Sequence, residues 1–95
     1  VIVGVMSTYL ALPGIGSLKA KRSIVKGVIG RLQSRFNVSV SEVDHLDAHQ
    51  VAVIGMAVVA NDSRFVEQQL DAILNFMKND GRFYISQVER ETFGV

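Results

Sequence analysis

The chain has no cysteine. That excludes a disulfide framework, a thiolate metal centre and a cysteine nucleophile, and it suits a reducing, cytoplasmic setting. There is no tryptophan, and Pro13 is the single proline. No apolar run approaches the ~20 residues that span a bilayer, so no membrane partner is expected. The opening "VIVGVMSTYLALPG" is apolar, but it lacks a basic leader region and alternates like a strand. It reads as structure rather than a signal peptide. Acid is missing from one end of the chain altogether: residues 1–36 hold six bases and no Asp or Glu. Residues 37–95 hold the other four bases and all nine acids, so a net charge of +1 hides a split of +6 against −5. Such asymmetry suits an anionic partner for one surface, or head-to-tail attraction between copies.

What is present fits one domain, residues 1–95, with a small core. Val1 to Leu12 reads as a strand with hydrophobes on both faces. "PGIGS" breaks it, and Ser17 is placed to cap a helix. Leu18, Val25, Ile29, Leu32 and Phe36 then recur at helical spacing, predicting about five turns that end near Asn37. Gly27 and Gly30 weaken that helix by roughly 1 kcal/mol each relative to Ala. They lie off its apolar stripe, where another backbone could approach closely or they are simply tolerated. "NVSVSEVD" alternates as a half-exposed strand, "HLDAH" connects, and "QVAVIGMAVVAN" is a nearly apolar, central strand. Asn61, Asp62 and Ser63 offer caps for a second helix with its stripe on Val66, Leu70, Ile73, Leu74 and Met77. "RFYISQVERETF" closes the chain as a fourth strand.

The order β-α-β-β-α-β predicts an α+β fold: a four-stranded antiparallel sheet, order 4-1-3-2, with both helices on one face. The bare face would then carry part of the apolar content of the first and third strands. A second copy covering it, as a homodimer or other homo-oligomer, is the expected remedy.

The string "SLKAKRSIVKGVIGRLQSRFNVSVSEVD", followed by "VVAND", resembles the bacterial YlxP-like family, a small domain of unknown function. The resemblance spans nearly the whole chain and implies a ferredoxin-like βαββαβ fold. Relatives are often encoded beside transcription-termination, translation-initiation and ribosome-maturation factors, which hints at RNA or ribosome work without fixing an activity. It supplies no established catalytic residues. After "EVD" the family commonly continues with a segment resembling D-L-W-Q-R-A. Here it reads "DAHQVA", with His49 in place of an aromatic and Val51 in place of a base.

The strongest candidate for function runs from Gly14 to Arg22. A helix N-terminus presents free amides and partial positive charge, and nearby glycines let a ligand approach the backbone. Ordinary helices favour acids there. Lys19, Lys21 and Arg22 do the opposite, and a docked anion would reverse the penalty. Gly14, Gly16, Ser17, Lys19, Lys21, Arg22 and Lys26 are therefore the expected contacts for phosphate or an RNA backbone, against the plainer reading of a solvated basic helix. On a helical wheel Lys19, Arg22 and Lys26 project to one flank, and Lys21, Arg31 and Arg35 to the other. The stretch is neither a P-loop nor a dinucleotide fingerprint, because the required spacings are absent.

Other readings are thinner. RNA-recognition modules share this topology but stack bases on aromatics of their central strands. Here Tyr9 is the only aromatic on the first strand and the third has none. "EVDHLDAH" gathers Glu42, Asp44, His45, Asp47 and His49 but matches no standard metal spacing, and connections collect polar residues anyway. Ser7, Thr8 and Ser17 have no evident base partner. Acylphosphatases share the topology but need an arginine in the loop after the first strand, and none precedes Arg22. The expectation is a non-enzymatic module with no cofactor and no metal, associated with RNA or the ribosome. The rival reading is a self-associating or protein-binding module that uses its open sheet face.

Overall fold

A computed structural model describes all residues, 1–95. The elements run β1 (Ile2–Ala11), α1 (Leu18–Arg35), β2 (Ser39–Asp44), β3 (Val51–Ala60), α2 (Ser63–Lys78) and β4 (Tyr84–Gly94). The sheet order is β2-β3-β1-β4, the expected order read from the other edge, and every pairing is antiparallel. The α+β, ferredoxin-like arrangement is thus the one that the alternation of periods predicts.

Local chemistry explains where the elements begin. The Ser17 side chain accepts a hydrogen bond from the Ala20 amide at 3.1 Å, and the Asp62 side chain accepts from Arg64 at 3.4 Å. Each caps the helix that follows and satisfies an otherwise unpaired first-turn amide. Gly14 takes φ 79°, a left-handed conformation that lets the chain turn from β1 toward α1.

Strand alternation then sorts the side chains. Met6, Thr8 and Leu10 of β1 and Ala52, Ile54, Met56 and Val58 of β3 are buried beneath the helices. From α2 they receive Val66, Leu70, Ile73 and Met77, four of the five stripe residues expected to face the core. Thr8 is fully buried, with its hydroxyl 3.5 Å from the Ile54 carbonyl that accepts from it.

One expectation about packing needs correction, and one left open is decided. On α1 the fully buried residues are Lys21, Val25, Val28 and Leu32, while Leu18, Ile29 and Phe36 are only half-buried. The stripe is rotated from the one that hydrophobicity alone suggests, because a lysine occupies part of it. No other backbone approaches Gly27 or Gly30, and the close approach is elsewhere. A Cβ on Gly30 would meet nothing within 4 Å, and one on Gly27 would meet only arginine side-chain ends. At Gly4 on β1, however, a Cβ would stand 2.3 Å from Val66 Cγ1. That glycine lets α2 settle onto the sheet.

Candidate functional site

The loop between β1 and α1 leaves the N-terminal end of α1 open. Gly14, Gly16, Ser17, Lys19, Arg22 and Lys26 are all exposed. A Cβ on Gly14 or Gly16 would meet no atom within 4 Å. The first turn contains no acid. Lys19, Arg22 and Lys26 make no ion pair within the chain, whereas Lys21, Arg31, Arg82 and Arg90 do. The three free cations follow one another at i, i+3 and i+7, which keeps them on one flank. At 1.5 Å rise per residue, they step along the axis by about 4.5 Å and then about 6 Å.

Lys21 does not belong to this row. It is fully buried, and its ammonium lies 2.9 Å from Glu42 Oε2 and donates to the His45 carbonyl at 2.6 Å. The Glu42 side chain is itself only 14 % exposed. A buried ammonium needs a counter-charge and acceptors, and both come from β2 and the turn after it. Lys21 therefore ties α1 to the sheet edge and is not a surface contact for phosphate. The signal is present in the sequence: Leu18, Lys21, Val25, Val28 and Leu32 follow the 3-4-3-4 spacing of a helix face that packs inward.

Glu42, turned toward Lys21, leaves the polar group that it shares in the sequence with Asp44, His45, Asp47 and His49. A register shift between Glu42 and Asp44 marks a bulge at Val43, beyond which Asp44 still pairs with Val53. His45 follows in a left-handed conformation, φ 56°, and its amide donates to Asp44 Oδ1 at 2.7 Å. No three His, Asp or Glu side chains converge as metal ligands would. The hydroxyl of Ser17 is engaged in its cap and that of Thr8 with the Ile54 carbonyl.

Other charged groups join elements far apart in sequence. Arg90 on β4 bridges Glu67 at 2.6 Å and Asp71 at 2.8 Å, both on α2. The Glu67 carboxyl is held below its usual range, chiefly by the hydroxyl hydrogen bond from Thr92 and further by Arg90. On the bare face of the sheet, the Tyr9 hydroxyl donates to Glu89 at 2.7 Å, which raises the phenol above its ordinary value.

The most concentrated group lies in the turn after α2. Asp80 accepts from the Arg82 amide at 2.9 Å, from Arg82 Nε at 3.1 Å and from Arg82 Nη2 at 2.8 Å. It also accepts from Arg31 of α1. The Arg82 hydrogen bonds hold the Asp80 carboxyl below its usual value, against the opposing effect of burial. Reciprocally, the same carboxylate raises Arg82. Sequence reasoning singles out neither Asp80 nor Arg82. The available signal is local: in "NDGR" an Asp stands two residues before the amide that its side chain accepts, the geometry of an Asx turn. Arg31 carries no such signal, because only the packing of α1 brings it here.

The bare sheet face is less uniformly apolar than alternation suggests. Phe93, Val3 and Val59 line up across β4, β1 and β3, and Val59 is 62 % exposed. The next rows are Glu91, Val5 and Ala57, then Glu89, Ser7 and Gly55, with Ser39 and Ser41 continuing them on β2. Small and charged residues thus interrupt the apolar surface, although Val43, 55 % exposed, packs over Gly55 in the middle of it.

No helix is long and apolar enough to cross a membrane. The chain is 39 % identical over 62 residues to the uncharacterized protein YlxP of Bacillus subtilis (strain 168), a match covering 65 % of this chain and 67 % of that one. Residues 3–90 match the family model described as "Protein of unknown function (DUF503)", which takes in every strand and both helices in whole or large part. The chain belongs to that family, the one that its "SLKAKRSIVKGVIGRLQSRFNVSVSEVD" and "VVAND" segments resemble.

Proposed function

We propose that this protein is a non-enzymatic, cytoplasmic module that associates with RNA or the ribosome through the exposed flank of α1. The observation that carries the reading is the row Lys19, Arg22 and Lys26, exposed, unpaired and leading away from an open helix end. Gly14, Gly16 and Ser17 frame that end, and the positive pole of the helix adds to the row's field. Lys21 is absent from the contact set because Glu42 already neutralises it. Three cations contact backbone phosphates without reading bases, so affinity is modest and sequence-independent.

Fluorescence anisotropy with a labelled single-stranded RNA tests this. Three phosphate contacts give a slope of about −2 in log K against log salt for a single strand, so raising salt fourfold weakens binding by on the order of tenfold. Charge reversal at Lys19, Arg22 and Lys26 together abolishes binding. Unchanged affinity in that triple variant refutes the reading.

A second reading rests on a separate observation, the exposed Phe93–Val3–Val59 row. Here the bare face pairs with a second copy. Sedimentation equilibrium at increasing concentration reports it. A monomer throughout, or a dimer undisturbed by Val59→Lys, rules this arrangement out.

A further inference from the structure

The largest cleft in the molecule, about 580 Å³, lies between α1 and the turn from α2 into β4. Its size falls within the ~300–1,000 Å³ usual for small-molecule sites. Val28, Met77, Phe83 and Phe76 form its apolar part, and Arg31, Asp80 and Arg82 its polar part. Asp80 holds both guanidiniums side by side, yet uses only part of their hydrogen-bonding capacity. It engages Arg31 through Nη2 and Arg82 through Nε and Nη2. Nη1 of each arginine has no acceptor, and the two side chains stay 45 % and 41 % exposed.

Those two free nitrogens flank one spot. A Cβ on Gly27 would stand 3.5 Å from Arg82 Nη1 and 3.6 Å from Arg31 Nη1. Nothing in the chain's own packing requires a glycine there, since these are ordinary contact distances to the ends of flexible side chains. The residue weakens its helix and leaves methyl-sized room beside two guanidinium donors at the margin of the cleft, whose lining begins at the next residue, Val28. Two cations against one carboxylate leave the site with a surplus positive charge. Guanidinium donors converging from separate elements suit an oxyanion that can accept from both.

We propose that this cleft binds a small organic phosphate. The phosphoryl oxygens would sit before Gly27 and accept from Arg31 Nη1 and Arg82 Nη1. The non-phosphate body, flat or apolar and about the size of a nucleoside, would lie against Val28, Phe76 and Phe83. Asp80 is a positioning residue, because it presents the arginines and repels a ligand's oxygens from its own side. The site is separate from the Lys19–Arg22–Lys26 row and does not depend on that row binding RNA.

Adenosine 5′-monophosphate is a suitable probe, titrated into the full chain and followed by amide chemical shifts, with inorganic phosphate and adenosine as the two half-ligands. The expected result is saturable binding at least tenfold tighter than either half, with the largest shifts in residues 27–31 and 79–83. Gly27→Ala should weaken the nucleotide at least tenfold while raising the melting temperature, which separates ligand loss from structural damage. Arg31→Gln should weaken it similarly and leave adenosine unaffected. The proposal is overturned if the nucleotide binds no better than inorganic phosphate, or if Gly27→Ala binds it unchanged. Shifts confined to residues 14–26 also overturn it and assign the phosphate to the open end of α1.

Discussion

Replacing Lys21 by methionine keeps most of the side chain's volume and removes its charge. What remains is a Glu42 carboxylate, 14 % exposed, facing apolar surroundings, and a His45 carbonyl without its donor. Breaking a buried pair from one side costs ~3–5 kcal/mol. Glu42 keeps some contact with water, so the lower end applies, about 3 kcal/mol. A domain of this size has only ~5–14 kcal/mol of stability in total, and each kcal/mol is worth roughly 4–8 °C in Tm. The melting temperature should therefore fall by about 12–24 °C. The double variant Lys21→Met/Glu42→Leu removes both charges and should return to within about 1 kcal/mol of the parent, the residue being the orphaned carbonyl. Urea unfolding followed by far-ultraviolet circular dichroism is the assay, since the chain has no tryptophan to report by fluorescence. A Lys21→Met variant within about 1 kcal/mol of the parent, or a coupling energy below ~0.5 kcal/mol in the double-mutant cycle, would refute the buried latch. RNA affinity measured well below the melting temperature should be unchanged in the double variant, which sets Lys21 apart from Lys19, Arg22 and Lys26.

Three further outcomes can be measured with the same material. Gly30→Ala should stabilise the protein by about 0.5–1 kcal/mol, because a Cβ there enters open space; a loss in chemical denaturation would contradict that geometry. Gly4→Ala should destabilise it by ~1–3 kcal/mol through overpacking, since Val66 and Leu70 already fill the space, and a stability equal to the parent's would show that α2 sits further from β1. The Asp80 carboxyl is depressed by Arg82 in the folded state, so its contribution is full above the ordinary carboxylate pKa of ~4 and is lost as pH falls through the lowered folded value. The stability gap between parent and Asp80→Asn should thus be constant near neutrality and close at the acid end, and a gap that widens on acidification would reverse the assigned shift.

The fold was legible because its information is local. Period two in "VSVSEV", period 3.6 from Val66 to Met77, and the caps at Ser17 and Asp62 each declare an element within a few residues. The open end of α1 was legible for the same reason, since glycines, a cap and unpaired bases stand in one short run. Two features were not local. Lys21 looks like its basic neighbours until β2 supplies Glu42, 21 positions away, and only its place in the 18-21-25-28-32 series hints at burial. Gly4 has no signal at all in its own strand. Its role follows from Val66 and Leu70 descending on it from a helix that begins some 60 residues later. The Arg31–Asp80 contact is of the same kind: half of the cluster is a turn motif, and the other half arrives through packing.

The two border strands of the sheet constrain how copies of this molecule can meet. β2 is six residues long and broken by its register shift, and β4 carries Glu89, Arg90 and Glu91 in succession. Short, kinked or heavily charged margins resist adding a foreign strand. Growth of a continuous intermolecular ladder is thereby discouraged at both rims, which protects a chain nearly half hydrophobic from fibrous assembly. Any association between copies is steered toward stacking broadside, a geometry that terminates after two.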